Sequence, residues 1–312
     1  MLINWRKLPP EKLAAILLIG GFSILGFSDN LILLIEKEAG LWQFHFFRSI
    51  FAIPFLIVVA KLFEFSIWPK NLSFVSLRTL LVTIAILLYF GSLPIMPLAV
   101  AAAGLFTSPI FVLIFSSLLF KEKVGLRRIT VVLIGATGVW LILEPNAPEF
   151  TFLSLIPICA GAVYALNNIT TRRLCSEESP LALVAFFYLA LGLCGATGVT
   201  IFSHVEILNT FKETSPFFFS GWKTVSWAFY FYTFIHAIFS TISVAMITRA
   251  YQIAQTSYIT VFDYSFVIFI GIGGWLFWDQ KLSLSNILGI LIIVLAGTFI
   301  SAVKPPANEA TY

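Results

Sequence analysis

Residues 13–35 read LAAILLIGGFSILGFSDNLILLI, an apolar run in which Asp29 carries the only formal charge. A helix needs about 20 mainly apolar residues to cross a bilayer, so this run is long enough to span one. It follows Arg6, Lys7 and Lys12 as the apolar core of a signal peptide would. It is too long for such a core, and no small-residue cleavage site precedes Asp29, so we expect a retained transmembrane helix.

The same pattern recurs along the whole chain. Of the 312 residues, 59% are hydrophobic and only 11% are charged, whereas a soluble domain is about 25% charged. This composition excludes a soluble globular enzyme and a disordered chain. The sequence predicts an all-α integral membrane protein with ten transmembrane helices, at about 13–35, 42–60, 76–93, 98–120, 127–143, 153–171, 180–203, 226–248, 254–277 and 284–303.

Several kinds of partner are not expected. The net charge of +4 and the lack of a long basic run argue against nucleic-acid binding. Cys159, Cys175 and Cys194 show no metal-ligand spacing, and no phosphate-binding loop of the Walker type is present. We therefore expect no metal, no cofactor and no direct use of ATP. The predicted partners are the lipid bilayer and a small-molecule substrate.

The positive charges are distributed unevenly between the segments that connect the spans. With a cytoplasmic N-terminus, the external segments hold only Lys37, Lys212, Lys223 and Lys281, and Arg48 lies within a span. Excess Lys and Arg mark cytoplasmic segments. We therefore predict that both termini are cytoplasmic and that the protein lies in the plasma membrane. The remaining Lys and Arg residues are assigned to the cytoplasmic side: 6, 7, 12, 61, 70, 78, 121, 123, 127, 128, 172, 173, 249 and 304.

The two halves of the chain resemble each other. HFFRSIF (45–51) resembles AFFYLAL (185–191), FSDNLILL (27–34) resembles ALNNITTR (165–172), and LLFKEKVGL (118–126) resembles WLFWDQKLS (275–283). A unit of five spans enters the membrane in opposite senses in the two halves, so the repeat must be inverted. We assign residues 1–146 to the first repeat and 147–312 to the second, within one membrane domain. Inverted repeats are common in secondary transporters.

At this point the ordered segments are similar to the ten-helix drug/metabolite transporter superfamily of the EamA type. They include HFFRSIFA (45–52), residues 89–112, residues 119–145, TTRRLCSEESP (170–180) and residues 250–266. The branch that the chain most resembles includes carriers for S-adenosylmethionine and riboflavin beside amino-acid exporters. The resemblance implies a basket-like bundle around a central cavity, lined mainly by helices 1, 3, 4, 6, 8 and 9. It also implies that helices 5 and 10 pack at the periphery, where they often support a homodimer.

Three formal charges fall clearly inside predicted spans: Asp29, Arg48 and Asp263. Because a charge at bilayer depth is costly, each needs a partner, water or a function. Asp29 and Arg48 lie at similar depths on consecutive helices, so a salt bridge between them is expected. That pair either fixes the two helices or faces the cavity and exchanges partners with a charged or zwitterionic substrate.

Two further residues are predicted for proton coupling beside Asp29. Asp263 lies near the middle of helix 9 with no cation nearby in sequence, so it either binds a cationic group, cycles a proton, or is held by a Ser or Tyr of another helix. His236 lies deep in helix 8, where it is either a proton carrier or hydrogen-bonded to a neighbouring helix.

The remaining site predictions concern neutral groups. Asn30 and Asn168 either contact substrate or join helices. Pro109, which follows two hydroxyl residues, is either a gating hinge or a static kink in helix 4. Aromatic residues in the cavity helices or beside polar motifs are candidates for contact with a cationic or planar substrate: Tyr89, Phe106, Tyr164, Tyr188, Phe262 and Tyr264.

The combined features predict a secondary transporter rather than an enzyme. The expected substrate is a small organic metabolite, either amino-acid-like, zwitterionic, cationic or planar, carried by alternating access around a midplane cavity with proton coupling or exchange. The alternative is an uptake carrier of the S-adenosylmethionine or vitamin type. A membrane-embedded enzyme would need clustered catalytic residues, and motifs such as HExxH and GxSxG are missing from the sequence. A passive channel would not need the inverted repeat.

Overall fold

The computed structural model describes residues 8–96, 98–119, 121, 124–143, 152–205, 215–279 and 283–302. All regular elements in this part of the chain are helical, which confirms the predicted all-α class. Short 3₁₀ segments at Leu93–Ile95, Phe152–Leu155 and Thr260–Tyr264 join some of the α-helices. The α-helices are α1 (Pro10–Asp29), α2 (Ile32–Ile35), α3 (Leu41–Leu62), α4 (Leu72–Ser92), α5 (Leu98–Leu105), α6 (Ser108–Leu118), α7 (Leu126–Leu143), α8 (Ile156–Leu174), α9 (Pro180–His204), α10 (Trp227–Ile253), α11 (Thr256–Ile259), α12 (Ser265–Trp278) and α13 (Leu284–Ala302).

Within the described residues, six helical segments are long and apolar enough to cross a membrane. Backbone N–H and C=O groups must be satisfied inside the bilayer, which is why continuous helices form wherever the sequence is apolar. Each of the ten predicted stretches contains helix, but the count of ten spans and the orientation of the termini stay predictions. The six segments are Pro10–Ile35, Leu41–Leu62, Leu72–Ser92, Pro180–His204, Trp227–Ile253 and Thr256–Trp278.

Besides residues 13–35, where α1 ends at Asp29 and α2 begins at Ile32, two stretches predicted as continuous helices are broken in the structure. In the stretch predicted at 98–120, residues 98–118 form α5 and α6, separated at residues 106–107; in the stretch at 254–277, the structure contains α11, a 3₁₀ segment and α12. The first break has a direct cause, because the ring of Pro109 collides with the carbonyl four residues earlier, and α5 ends there at Leu105. Thr107 Oγ1 donates to the carbonyl of Gly104 at 2.7 Å, as its position before Pro109 leads one to expect.

Helices of the first part of the chain pack mainly on helices of the second part. The principal contacts pair α1 with α10, α4 with α8, α3 with α9 and α7 with α13. A further set pairs α1 with α12, and α8 with α5 and α6. The interface between the two predicted repeats therefore lies at the centre of the bundle.

The approach of α5 to α8 depends on two glycines. A Cβ at Gly161 would lie 2.7 Å from the carbonyl oxygen of Leu105 and 2.8 Å from that of Gly104. A Cβ at Gly104 would lie 2.6 Å from Pro157 Cβ. Small residues of this kind let transmembrane helix backbones approach closely, and here they bring the broken helix against α8.

Candidate functional site

A narrow cavity runs through the centre of the bundle between α1, α4, α8 and α10. Its space accessible to water is about 50 Å³, enough for a few water molecules and far less than an organic metabolite needs. Its walls are largely aromatic. The lining includes Phe22, Tyr89, Phe90, Phe106, Tyr164, Phe187, Tyr251 and Phe266, together with the polar residues Asp29, Arg48, Arg78, Asn167, Asn168, Thr171 and Thr248.

One end of the cavity contains the carboxylate of Asp29. His236 Nε2 lies 3.1 Å from Asp29 Oδ1, and Tyr89 Oη donates to Oδ2 over a longer distance of 3.5 Å. Asp29 is the last residue of α1, at the point where that helix is interrupted before α2. The predicted hydrogen bond from His236 to a neighbouring helix is therefore present, and its partner is the carboxylate that lines the cavity.

Arg48 does not form the predicted salt bridge with Asp29. Its side chain is 3% exposed, yet Nε and Nη1 have no hydrogen-bond acceptor among the described residues. The guanidinium instead lies over three aromatic rings, with its carbon 5.3 Å from the ring centre of Tyr188, 5.7 Å from Phe90 and 5.8 Å from Phe44. The expectation fails because the rotation of α1 directs Asp29 towards His236. A buried cation without an acceptor is therefore available to a ligand in the cavity.

The other end of the cavity contains Arg78, which the charge distribution assigns to a cytoplasmic segment. It is 3% exposed and donates to Thr171 Oγ1 at 3.4 Å, to the carbonyl of Leu183 at 3.3 Å and to Thr248 Oγ1 at 3.1 Å. The cavity thus has an arginine at each end. The two differ in that Arg78 has acceptors from three helices, whereas Arg48 has none among the described residues.

Two asparagines line the cavity between these ends. Asn167 Nδ2 donates to Asn168 Oδ1 at 2.9 Å, while Asn167 Oδ1 and Asn168 Nδ2 remain without a hydrogen-bond partner in the described structure. One free acceptor and one free donor side by side can bind an amide-like or imide-like edge of a ligand. Because unsatisfied buried polar atoms are costly, these two atoms in the cavity wall need a partner, which a ligand or water can supply.

The length of the cavity follows from the helices that line it. Tyr89 lies eleven residues after Arg78 on α4, which corresponds to about 16 Å along the helix axis. Thr248 lies twelve residues after His236 on α10, about 18 Å along that axis. The polar ends are therefore separated by more than half of a typical 30 Å hydrocarbon core, with aromatic side chains between them.

Asp263 does not line this cavity. It lies in the 3₁₀ break before α12, is fully buried, and accepts hydrogen bonds from Tyr251 Oη at 2.7 and 2.6 Å. Thr260 Oγ1 donates to it at 3.4 Å. Of the alternatives left open by the sequence, the structure contains the one in which a Tyr of another helix holds Asp263. Because Tyr251 itself lines the cavity, Asp263 is one hydrogen bond away from it.

Four other residues predicted to contact substrate lie outside the cavity lining. Asn30 donates to the carbonyls of Gly26 and Ile270, so it joins α1 to α12. Tyr188 Oη is 2.9 Å from Ser240 Oγ, and its ring supports Arg48. Phe262 lies in a separate crevice beside α13, and Tyr264 donates to the carbonyl of Val132 at 3.2 Å.

The predicted residues that do meet in the cavity are Asp29, Arg48, Tyr89, Phe106, Tyr164 and Asn168. Sequence reasoning missed Arg78 as a cavity residue, although its place inside the apolar α4 stretch was a signal that this charge lies at membrane depth. It also missed Tyr251, for which the sequence offers no comparable signal. Within the described residues, no group of three His, Cys, Asp or Glu side chains is placed to hold a metal ion.

Comparisons with known proteins identify related chains. Residues 12–144 match the EamA-like transporter family. A "Riboflavin transporter" of Vibrio cholerae is 29% identical over 226 residues, which cover 72% of this chain and 70% of the relative. An "S-adenosylmethionine uptake transporter" of Rickettsia bellii is 27% identical over 155 residues, 49% of this chain and 51% of the relative. A crystal structure of 14% sequence identity has a TM-score of 0.72 and covers 94% of this chain and 96% of its own, so it shares the fold.

Proposed function

We propose that the chain is a transporter of the EamA type, in the drug/metabolite transporter superfamily, and that it carries an elongated planar metabolite of the flavin class. It is a multi-pass protein of the bacterial inner membrane. The proposal selects the vitamin-type alternative raised by the sequence over an amino-acid-like or cationic substrate.

The observation that carries the proposal is the unpartnered guanidinium of Arg48 in an aromatic cavity. Its free N–H groups need carbonyl, imide or anionic oxygens, and the surrounding rings need a flat apolar partner. A flavin combines both features, because its tricyclic ring ends in an edge of alternating carbonyl and N–H groups. The free acceptor of Asn167 and the free donor of Asn168 suit the same kind of edge.

The charge of the cavity argues against a cationic substrate. Arg48 and Arg78 are the two cations of its wall, while its carboxylate, Asp29, is already engaged by His236. A sulfonium or ammonium group would be repelled by the arginines and would find no free carboxylate among the described lining residues. A neutral or anionic ligand meets neither difficulty. The separation of about 16 Å between the polar ends suits a long molecule with a polar tail better than a single amino acid.

We propose that transport proceeds by alternating access. The 50 Å³ of water-accessible space is too small for a flavin, so the helices around the cavity have to separate before a ligand can enter. The pairing of α1 with α10 and of α4 with α8 supports movement of residues 1–146 against residues 147–312 as two inverted repeats. The orientation with both termini in the cytoplasm belongs to the same proposal.

Counterflow in proteoliposomes tests the substrate class. Vesicles loaded with unlabelled riboflavin should take up labelled riboflavin faster than empty vesicles, because a carrier exchanges bound substrate across the membrane. Separate vesicles are loaded with riboflavin 5′-phosphate, S-adenosylmethionine or glutamate, to compare how far each internal compound stimulates the uptake. Stimulation by S-adenosylmethionine or glutamate without stimulation by either flavin would refute the flavin assignment. Arg48→Met vesicles, matched for protein content, supply the control for uptake through this cavity.

A further inference from the structure

Two glutamates outside the cavity make the same unusual contact at two different places in the bundle. Glu38 follows α2, and its carboxylate accepts hydrogen bonds from Ser226 N at 2.8 Å and Ser226 Oγ at 2.9 Å. Glu178 follows α8, and its carboxylate accepts hydrogen bonds from Lys70 N at 2.8 Å and Asn71 N at 2.7 Å. Each carboxylate thus accepts two hydrogen bonds from a segment more than 100 residues away in the chain: one backbone N–H and one hydroxyl for Glu38, and two backbone N–H groups for Glu178.

The two contacts are equivalent under the internal repeat. Glu38 and Glu178 are separated by 140 positions, the same offset that aligns HFFRSIF (45–51) with AFFYLAL (185–191). Their partners are equivalent as well, because Ser226 is the N-cap of α10 and Asn71 is the N-cap of α4. A carboxylate near the N-terminus of a helix is favoured by the free N–H groups and by the helix dipole.

The two contacts lie at opposite ends of the bundle. Glu38 precedes the start of α3, while Lys70 and Asn71 follow its end. The 22 residues of α3 correspond to about 33 Å, close to the thickness of the hydrocarbon core. One contact therefore lies at one face of the membrane domain, and its counterpart lies at the other.

We propose that Glu38 and Glu178 are paired gate latches, each of which holds one face of the transporter closed by binding the N-cap of a helix from the opposite repeat. This inference rests on the alternating access of the proposed function. Opening one face separates α1 from the start of α10 and breaks the Glu38 latch. Opening the other separates α8 from the start of α4 and breaks the Glu178 latch. Both latches are formed in this structure, in keeping with its small closed cavity.

The two latches differ in strength. Glu178 is 5% exposed, and Gln252 Nε2 fixes its loop by donating to the carbonyls of Cys175 and Glu178 at 2.8 Å each. Glu38 is half-buried, and Ser226 is exposed. Charge-assisted hydrogen bonds contribute more where water is excluded, so the Glu178 face is the more firmly closed.

Distance measurements between spin labels on the two faces test the latches. In a background with the three cysteines replaced by serine, one label pair at Lys37→Cys and Thr224→Cys reports the Glu38 face. A second pair at Lys70→Cys and Glu177→Cys reports the Glu178 face, and all four positions are exposed. Double electron–electron resonance in lipid nanodiscs then gives the fraction of open molecules at each face without any substrate.

Glu178→Gln should raise the ratio of open to closed molecules on the Glu178 face by about tenfold, because two hydrogen bonds to a charged acceptor are weakened. Glu38→Gln should raise the ratio on its own face by about threefold, since water screens that contact. Each variant should leave the opposite face no more open than in the parent. In the double variant, the ratio of the two open states should differ from the parent ratio by only about threefold, compared with about tenfold in Glu178→Gln alone.

Matched controls are Glu64→Gln on the Glu178 face and Glu36→Gln on the Glu38 face, because neither carboxylate binds a helix N-cap in the described structure. Equal opening of both faces by either latch variant, or opening by the controls alone, would overturn the proposal. If Glu178→Gln does not fold, Glu178→Asp keeps the charge, shortens the side chain and must open the same face. Closed faces in every variant together with normal riboflavin counterflow would refute the latches alone. Latch behaviour as expected without flavin transport would refute only the flavin assignment.

Discussion

Arg48 and Arg78 are both buried in the cavity wall, but the structure predicts opposite consequences for their replacement by methionine. Methionine keeps much of the length and apolar contact of the arginine side chain while it removes the charge and the N–H donors. We expect Arg48→Met to weaken flavin binding and to leave the fold intact. We expect Arg78→Met to destabilise the fold.

The magnitudes follow from the contacts of each guanidinium. Arg48 has two N–H positions without an acceptor, each costing about 1–3 kcal/mol when buried, offset in part by contacts with three aromatic rings worth about 0.5–2 kcal/mol each. The central values of these costs and gains nearly cancel, so replacement of Arg48 should change the free energy of unfolding by only about 1 kcal/mol. Arg78 donates three hydrogen bonds whose acceptors would lose their partner, a loss of roughly 2–4 kcal/mol.

For riboflavin binding, we expect the larger effect from Arg48→Met. A hydrogen bond from Arg48 to a flavin oxygen is a bond to a charged donor, worth about 1.5–3 kcal/mol, so Arg48→Met should weaken riboflavin affinity about 10- to 150-fold. Thermal unfolding of purified protein in detergent measures the change in stability. Quenching of flavin fluorescence on titration with protein measures the change in riboflavin affinity. A wild-type riboflavin affinity in Arg48→Met would refute the role of Arg48. Unfolding of Arg48→Met together with a stable Arg78→Met would refute the comparison of their contacts.

Three further predictions concern residues away from Arg48. Gly161→Ala should lower the midpoint of thermal unfolding, because its Cβ would meet two carbonyl oxygens. Gly271→Ala should leave the midpoint unchanged, because a Cβ there meets no atom within 4 Å. Equal midpoints for the two variants would contradict this. Tyr251→Phe should destabilise the protein by about 1.5–3 kcal/mol, and the loss should not add to that of Asp263→Asn; additive losses would exclude the hydrogen bond as the cause. Burial raises the pKa of the Cys175 thiol to about 11, so little of it is thiolate at pH 8. The rate of its alkylation, measured by mass spectrometry, should therefore rise about tenfold per pH unit between pH 8 and 10. A rate that levels off above pH 9 would contradict this.

The burial and raised pKa of Cys175 also affect how membrane orientation can be tested. Membrane-impermeant thiol reagents are a common way to find which side of a membrane a cysteine occupies. Because Cys175 is buried and its pKa is raised, it should resist these reagents from either side. A cysteine introduced at the exposed position Glu177 or Lys37 reports the orientation instead, since these two residues lie on opposite faces of the bundle.

Much of the candidate site could be located from the sequence, but its pairings could not. Asp29 and Arg48 were identified because charges inside apolar runs are rare, and both line the cavity. Their expected salt bridge is wrong, since His236, which lies 207 positions from Asp29, takes the carboxylate. Asp263 was identified by the same rule, yet its partner Tyr251 belongs to another helix and carries no signal in the sequence.

The sequence by itself determined that this protein is a helical membrane protein, because hydropathy is read along the chain and a bilayer forces each long apolar run to form a helix. The aligned segments of its two halves also indicated the equivalence that relates Glu38 to Glu178. Only the tertiary structure decided which face of each helix meets the cavity. The physical reason is that lipid and protein interior are similarly apolar, so the sequence of a transmembrane helix contains little information about its rotation. The rotation of the helices leaves Arg48 without a hydrogen-bond acceptor and surrounds Arg78 with three acceptors. It also brings the carboxylates of Glu38 and Glu178 to the N-caps of two helices.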